Sequence, residues 1–515
     1  MKGRCFRAIW KMVWVAFFCA NAAGQEAAKL HPNVLLIITD DLKEEHLGFT
    51  SGGMTALTPH MDQLAKSGIY FSRAYVTSSV CTPSRYSILT GRYASLCRTP
   101  EMDITAAENG MHRVKWQTWI YPDSDNLVRL LKSAGYFTGY VGKCDGFKKR
   151  EPQRVPPESD PRDPVVKKVL IENQQRLVED VKQIGFDYAA SLAWANPPHN
   201  PCKELQGHNI EWEVKGALDF LDAAVKKDQP FFLCFATTLL HWPDPMKDIR
   251  NADTRRTHMG YLDKPIDVQP LRQSTIDRVK ASGLDENSAI TTWLDDGIGA
   301  LLTRLDRLGL TENTLIVFIN DNRTDDGKGS CYETGAHIPL IISWKGALGG
   351  GRVSDALVAN IDIVPTICDA IGVDIPGGYV QSGTSLMPHL RGEDAVPHDS
   401  VFLEIGNTRA VVTQDGWKYL ALRIPYETAG VPKKKISHMS YKAGDVNGIE
   451  LKTMKLYSNL YWDENQLFDL NRDPRETRNE WASPEKRPQA KKLVNIMEEY
   501  LKEMPGIFPL QPLAE

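Results

Sequence analysis

The chain has 515 residues, enough for one large domain with a smaller companion or for two to four ordinary domains. Its 61 lysines and arginines nearly balance 65 aspartates and glutamates, for a net charge of -4. With no basic field to attract a phosphate backbone, nucleic acid is excluded as a partner.

Residues 1–24 read as a secretory signal. Lys2, Arg4, Arg7 and Lys11 are basic, and the apolar run Met12 to Ala20 is too short to span a bilayer. Ala20, Ala22, Ala23 and Gly24 offer a cleavage site. No later apolar run is long enough to span, so the mature chain is expected to be secreted or periplasmic, without stable membrane insertion. Of nine cysteines, Cys5 and Cys19 fall in the signal. Apart from Cys81, the remainder (Cys97, Cys144, Cys202, Cys234, Cys331 and Cys368) fit no zinc spacing and assign no disulfide pairs. Cys234 and Cys368 lie in apolar segments and read as core.

Asn33 to Thr39 is a continuous apolar run, the pattern of a strand buried on both faces. It ends in Asp40-Asp41, two carboxylates that repel each other unless a cation lies between them. Thr58-Pro59 caps a helix running to Gly68. In the stretch from Ser78 to Tyr93, Thr82 suits an N-cap, Pro83 the first helical position and Gly91 the residue past the end. Cys81 then sits just outside a helix N-terminus, where free N–H groups favour a thiolate or a bound oxyanion.

Residues 94–121 are irregular, with Trp116 and Trp119. Asp123 to Ala134 reads as a helix stopped by Gly135, and Tyr136 to Val141 as a strand delivering Gly142-Lys143-Cys144-Asp145. Lys148 to Pro164 is a surface loop, Val165 to Ile184 a helix, 189–208 a second irregular stretch, and Ile210 to Val225 an amphipathic helix. Pro230 to Thr237 is another buried strand, leading to His241-Trp242-Pro243. Residues 244–283 read mostly as loop, followed by a long helix from Ile290 to Leu308. Thr314 to Ile319 is a strand ending in Asn320-Asp321-Asn322, then Lys328-Gly329-Ser330 in a loop, then a strand from Ile338 to Ser343.

Alternating buried strands and amphipathic helices predict a doubly wound α/β domain. The pattern changes near residue 395. Val401 to Glu404, Ala410 to Thr413, Trp417 to Leu422 and Gln466 to Leu470 read as short strands, with a hairpin turn at Asp415-Gly416, and Pro488 to Leu501 as a closing helix. The division is a catalytic α/β domain over 30–395 and a C-terminal α+β subdomain over 396–515.

The strand ends carry complementary groups. Asp40, Asp41, Asp321 and Asn322 offer only oxygen, which selects a hard cation, Ca²⁺ or Mg²⁺. Arg85, Lys143, His241 and Lys328 offer positive charge or donors. In open α/β sheets ligands gather at the carboxyl ends of strands. An oxyanion held between a cation and several donors is what sulfuryl or phosphoryl transfer needs.

Cys81-Thr82-Pro83-Ser84-Arg85 with Thr90-Gly91-Arg92 resembles the signature of the formylglycine-dependent sulfatases, type I and arylsulfatase-like, of the alkaline phosphatase superfamily. The resemblance runs from about Asn33 to Asn479. It takes in Asp40-Asp41, Gly135-Tyr136 with Gly142-Lys143, His241-x-Pro243, Asp321-Asn322, Lys328-Gly329-Ser330, and Leu467-Phe468-Asp469-Leu470 with Asp473-Pro474 and Glu476-Thr477. It implies a large, mostly parallel central sheet sandwiched by helices, alkaline-phosphatase-like, with the smaller α+β domain behind it.

The resemblance also implies that a formylglycine-generating enzyme or equivalent maturase converts Cys81 to 3-oxoalanine. One hydroxyl of the hydrated aldehyde is then both metal ligand and nucleophile on sulfur, and loss of the other's proton expels sulfate. By the same carry-over Asp40, Asp41, Cys81, Asp321 and Asn322 hold the metal and Arg85 holds the modified residue. Lys143, His241 and Lys328 bind sulfate, with His241 or Lys328 as leaving-group acid.

Three departures stand out. Cys144 and Asp145 replace the tryptophan and histidine usual after Gly-Lys, so Asp145 faces the substrate or takes a proton. Arg323 replaces a glycine after Asp-Asn. Tyr332-Glu333-Thr334-Gly335-Ala336-His337 replaces a more glycine-rich run. The leading reading is an exported sulfatase acting on sulfated carbohydrates, with Trp116, Trp119, Trp194, Trp212 and Trp242 as candidate sugar platforms. The alternatives are a phosphonate or phosphodiester hydrolase and a non-catalytic sulfated-glycan binder.

Overall fold

The computed structural model describes residues 31–102, 110–324, 327–425 and 427–511; the signal expected over 1–24 lies outside them. Strands β1 (Asn33–Thr39), β2 (Ile69–Tyr75), β3 (Phe137–Lys143), β4 (Tyr188–Ala193) and β5 (Phe231–Ala236) precede a small ribbon, β6 (Arg256–Thr257) with β7 (Gly260–Tyr261). Then come β8 (Thr314–Asn320), β9 (His337–Ser343), β10 (Arg352–Ser354) and β11 (Val358–Ala359). The large sheet runs β10-β2-β9-β8-β1-β5-β3-β4, with β11 also on β2. All its described pairs are parallel except those of β9, which runs against both β2 and β8. The carboxyl ends of β1, β2, β3, β5 and β8 therefore share one edge, and β9 starts there.

The main helices are α1 (Pro59–Ser67), α2 (Cys81–Thr90), α3 (Leu127–Ser133), α4 (Pro164–Ile184), α5 (Ile210–Ala224), α6 (Pro245–Asn251), α7 (Arg272–Ala281) and α8 (Ala289–Arg307). Farther on lie α9 (Ile363–Ala370), α10 (Gly448–Leu456) and α11 (Arg487–Glu503). β1 shows how the layers form. Leu35 and Ile37 join one core with α1, α5, α7 and α8; Val34, Leu36 and Ile38 join the opposite core with α2, α3, α4 and α9. Successive strand residues face opposite ways, so a strand covered on both faces is apolar throughout. Each such aliphatic side chain contributes roughly 1.5–3 kcal/mol of burial.

A second, antiparallel sheet, β12 (Ser400–Ile405), β13 (Thr408–Thr413), β14 (Trp417–Leu422) and β15 (Asn465–Asp469), packs behind the first with α11 across it. The expected turn at Asp415-Gly416 joins β13 to β14, with Gly416 at φ +87°.

Several local expectations need correction. Helix α2 begins at Cys81 itself, with Val80 in extended conformation at its N-cap position, so Thr82 and Pro83 lie inside the first turn. The helix expected from Asp123 starts at Leu127, because the Asn126 side chain accepts from Arg129 N. The irregular stretch 189–208 opens with most of β4. The supposed loop 244–283 contains α6 and α7, and α6 carries a readable start: Asp244 accepts from Met246 N and Pro245 follows it. β2 carries a bulge between Phe71 and Ala74 that breaks its alternation.

Candidate active site

The acidic floor comes from two neighbouring strands. β1 and β8 pair in register up to Thr39 and Asn320, so Asp40-Asp41 and Asp321-Asn322 leave the sheet side by side. Asn320 ties the exits together: its Oδ1 accepts from Thr39 Oγ1 (3.0 Å) and Leu42 N (3.2 Å), and its Nδ2 donates to Leu42 O and Asn322 O. Asp41 has φ +56°, a left-handed turn that aspartate tolerates. That turn lets two consecutive side chains serve one site. Carboxylate oxygens of Asp40, Asp41 and Asp321 lie within 4.8 Å of one another.

The cationic wall comes from four other segments. Arg85, one helical turn after Cys81, donates from Nε to Asp321 Oδ2 (2.8 Å), with Nη2 3.5 Å from Asp40 Oδ2. Lys143, the last residue of β3, puts Nζ 2.5 Å from Asp40 Oδ2. Gly142 before it has φ +100°, and a Cβ there would collide with Ala236 O, so only glycine delivers the lysine. Lys328 donates to Asp41 Oδ1 (2.5 Å) from a loop whose Gly329 N bonds Ser79 O. His241 has Nδ1 2.6 Å from Trp242 O and Nε2 3.9 Å from Asp41 Oδ2. Cys81 Sγ lies 3.8 Å from Asp40 Oδ1, and Asp40, Cys81 and His241 also offer atoms within 4.8 Å of one another.

Burial shapes the electrostatics. It pushes the Asp40 carboxyl up, but Lys143, His241, Arg85 and Lys328 together hold it well below the ordinary range. Asp321, raised by burial and by the Asp40 charge, reaches about 6. Burial drives the Cys81 thiol far above its usual value despite Lys143 and Lys328, so the expected thiolate is not favoured here. The helix terminus does not offset the loss of water around a side chain only 3 % exposed.

Four polar groups in this buried cluster stay unspent. Asp321 Oδ1, Asn322 Oδ1 and both Arg85 Nη atoms have no hydrogen-bond partner. Two oxygens without hydrogen bonds beside the converging Asp40 and Asp41 carboxylates fit a hard divalent cation, and Arg85 Nη1 fits an oxyanion while Nη2 leans on Asp40 at 3.5 Å.

The departures all have partners within the chain. Asp145 Oδ2 pairs with Lys143 Nζ at 3.1 Å, so its negative charge is already met. The Cys144 thiol is fully buried, 3.6 Å from Gly142 O. Arg323 is bound by Glu45 at 2.8 and 3.0 Å. Among the tryptophans, Trp212 is buried, Trp194 donates to Arg150 O beneath Lys149, and Trp119 lies under Lys148. Trp116 is half-buried beside Lys115, and Trp242, next to His241, is 65 % exposed. The seven described cysteines are all free. One group that ties the site together went unread in the sequence: Asn320, which joins the exits of β1 and β8.

A profile described as Sulfatase matches residues 32–373. An N-acetylglucosamine-6-O-sulfatase of Bacteroides thetaiotaomicron is 25% identical, over 94% of this chain and 88% of its own length. Human arylsulfatase A is 27% identical, over 74% of this chain and 72% of its own. A solved structure from work on glycosaminoglycan metabolism by Bacteroides thetaiotaomicron superposes with a TM-score of 0.62 at 22% identity, covering 92% of this chain and 100% of that one. Another, solved with its substrate D-glucosamine-2-N,6-O-disulfate, gives 0.59 at 20% identity, covering 92% and 98%. The profile spans well over half of the 515 residues, and on that match the chain belongs to the sulfatase family of sulfuric ester hydrolases, with the alkaline-phosphatase-like fold.

Proposed function

We propose that this protein is an exported sulfatase that removes sulfate esters from carbohydrates at the site around Cys81. The observation that carries the reading is the set of atoms without hydrogen bonds, Asp321 Oδ1, Asn322 Oδ1 and Arg85 Nη1, in the buried cluster of Lys143, Lys328 and His241 where Cys81 Sγ lies 3.8 Å from Asp40. The pattern of residues 1–24 supports export, and the names of the relatives, which include N-acetylglucosamine and N-acetylgalactosamine 6-O-sulfatases, support a sulfated sugar.

Asp40, Asp41, Asp321 and Asn322, with the oxygen of the converted Cys81, would hold Ca²⁺ or Mg²⁺. The metal supplies charge that polarises the sulfate and lowers the pKa of the attacking oxygen. A maturase-made formylglycine at position 81 supplies, as its hydrate, an oxygen nucleophile that a buried thiol does not.

The chain's own residues do the rest. Four carboxylates, Asp40, Asp41, Asp321 and the Asp145 that shares Lys143, face three cations, Arg85, Lys143 and Lys328. A divalent ion would make that cluster net positive, as an incoming sulfate ester and an alkoxide require. Lys143 and Lys328 hold sulfate oxygens while Arg85 orients residue 81. His241 is the leaving-group acid. Its Nδ1–H is committed to the Trp242 carbonyl, so Nε2 reaches a sulfate oxygen as a donor only when the ring is protonated, and that proton then passes to the departing alcohol. Burial first, and Lys328 next, lower the ring's proton affinity, which makes it a willing donor. Trp242 lies beside this acid as a stacking platform for the sugar.

The test is sulfate release from a panel of sulfated mono- and oligosaccharides by the wild type and by Cys81→Ala, with mass spectrometry of the Cys81 peptide. Release that survives the substitution would reject the mechanism. An unmodified thiol in native material would point to sulfated-glycan binding without catalysis, and faster turnover of phosphodiesters to the other hydrolase reading.

A further inference from the structure

Behind the loop that carries His241, three buried side chains outside the charged cluster touch one another: Glu213 on α5, Thr238 just past β5, and His208 just before α5. Glu213 Oε2 accepts from Thr237 Oγ1 at 2.7 Å. Its Oε1 lies 3.0 Å from Thr238 Oγ1 and 3.3 Å from Thr238 N. Thr238 Oγ1 is also 3.0 Å from Nδ1 of His208, whose Nε2 lies 3.1 Å from Pro243 O.

Counting hydrogens fixes the state of the chain. Pro243 O only accepts, so Nε2 of His208 carries a hydrogen. In a neutral imidazole Nδ1 is then an acceptor, served by the single hydrogen of the Thr238 hydroxyl. That hydroxyl has none left for Glu213, so the contact between them takes its hydrogen from the Glu213 carboxyl. The other arrangement moves the proton to His208 and leaves Glu213 ionised. Both hold one proton more than a carboxylate plus a neutral imidazole. Burial chooses between them: it pushes His208 down to about 4 and Glu213 up to about 7. The titratable groups around the chain are Arg85, which favours the Glu213 anion, Asp248 and His241, which act on His208 in opposite senses, and His258, a buried imidazole held low by burial and by His208. Glu211, on the same helix, is held by Arg272 at 2.7 and 2.8 Å.

We propose that Glu213, kept as a neutral acid, acts with Thr238 and His208 as a set of positioning residues that fix His241 for its work on sulfate. The Thr238 carbonyl accepts from His241 N at 3.2 Å and the His208 ring holds Pro243 O, so one chain grips the loop on both sides of the catalytic histidine. This rests on the reading of His241 given above. When pH rises through the Glu213 value the chain is one hydrogen short, so either the Glu213–Thr238 or the Thr238–His208 contact is left without one, and the loop loosens.

The experiment compares pH profiles of kcat and kcat/KM for wild type, E213Q and T238V on a sulfate ester, with thermal unfolding followed against pH for the same proteins. The amide nitrogen that E213Q introduces can donate to Thr238 Oγ1 while the amide oxygen accepts from Thr237, and the variant gives up only the longer 3.3 Å contact from Thr238 N. E213Q is therefore expected to stay within about threefold of wild type in acid and to lack the wild-type fall above about pH 7. T238V keeps the shape but breaks the chain and is expected to lose about tenfold or more in kcat/KM. In unfolding, the folded Glu213 value lies above its unfolded one. The cost of ionising it is therefore absent in acid and grows from the ordinary carboxyl range up to about pH 7, a slope that E213Q removes. An E213Q profile with the wild-type alkaline limb, or a T238V enzyme with wild-type kinetics, would overturn the proposal. A wild type inactive on sulfate esters, with the unfolding slope still abolished in E213Q, would overturn the reading of His241 and leave the proton chain standing.

Discussion

Two buried ion clusters in this molecule are built alike and finish differently. At the strand ends, Arg85, Lys143 and Lys328 meet Asp40, Asp41 and Asp321. Behind them, between the two sheets, Lys418 meets Glu333 at 3.0 Å and Glu476 at 2.8 Å. The second cluster closes on itself: Glu333 Oε2 takes the Tyr75 hydroxyl at 3.0 Å, Glu476 Oε2 takes Glu333 N at 2.6 Å, and Glu476 Oε1, which makes no hydrogen bond, lies against the Lys418 cation at 2.8 Å. The first is left with open valences on Asp321, Asn322 and Arg85. A buried charge by itself therefore does not mark a site. Several unspent atoms converging on one set of buried carboxylates do, because a scaffold leaves such atoms singly, as at Glu404 Oε2, whereas a site gathers them where a ligand can complete them.

The comparison can be broken most sharply at Cys81. Cys81→Ala is expected to lower sulfate release by about three orders of magnitude or more while leaving the unfolding temperature nearly unchanged, as read by ion chromatography and calorimetry. Chelation comes next. Removing divalent ions should abolish activity, and Ca²⁺ or Mg²⁺ at a hundredfold excess over its dissociation constant should restore it and add about 2.7 kcal/mol of stability. In Asp321→Ala that stabilisation should disappear.

The closed cluster should answer in the opposite currency. Lys418→Met leaves two carboxylates buried without their cation and is expected to cost about 3–5 kcal/mol in denaturant unfolding, with kcat/KM of the folded enzyme unchanged. A stable but inactive Lys418→Met would collapse the distinction between the two clusters.

The smallest effect concerns how the C-terminal segment is tied down. His398 Nε2 lies 2.9 Å from both oxygens of buried Asp362, just before α9. Burial lowers the imidazole's affinity for a proton, but the Asp362 charge prevails and raises it above the ordinary 6.5. The pair therefore stabilises fully below that value and loses its contribution as pH rises through the folded one. The unfolding temperature of His398→Gln should trail the wild type most near pH 5.5 and converge with it in alkali.

Much of the fold was readable because its signals are local. A seven-residue apolar run such as Asn33–Thr39 needs no distant partner to declare itself a doubly covered strand, and Gly309 after the α8 pattern needs none to end a helix. The elements that escaped had their local signals diluted. The β2 bulge spoils its alternation, α7 is dominated by polar residues, and α6 hides in a charged stretch whose capping Asp244-Pro245 was the one clue. The same holds at the site. Residue types at strand ends could be read, but the pairing of Asp145 with Lys143 could not, and that contact turns a repulsive acid into a neutralised one.

Composition, apolar periodicity and spaced motifs thus sufficed for the layered α/β fold, the acidic and basic sets, and their order along the chain, since each depends on neighbours within a few residues. Tertiary structure alone decided which charges are spent and which are kept. The Arg85–Asp321 contact spans 236 residues, and Glu213 reaches Thr238 from a different layer. Such contacts depend on which strands lie side by side and on how completely water is excluded, and neither quantity exists until the whole chain has packed.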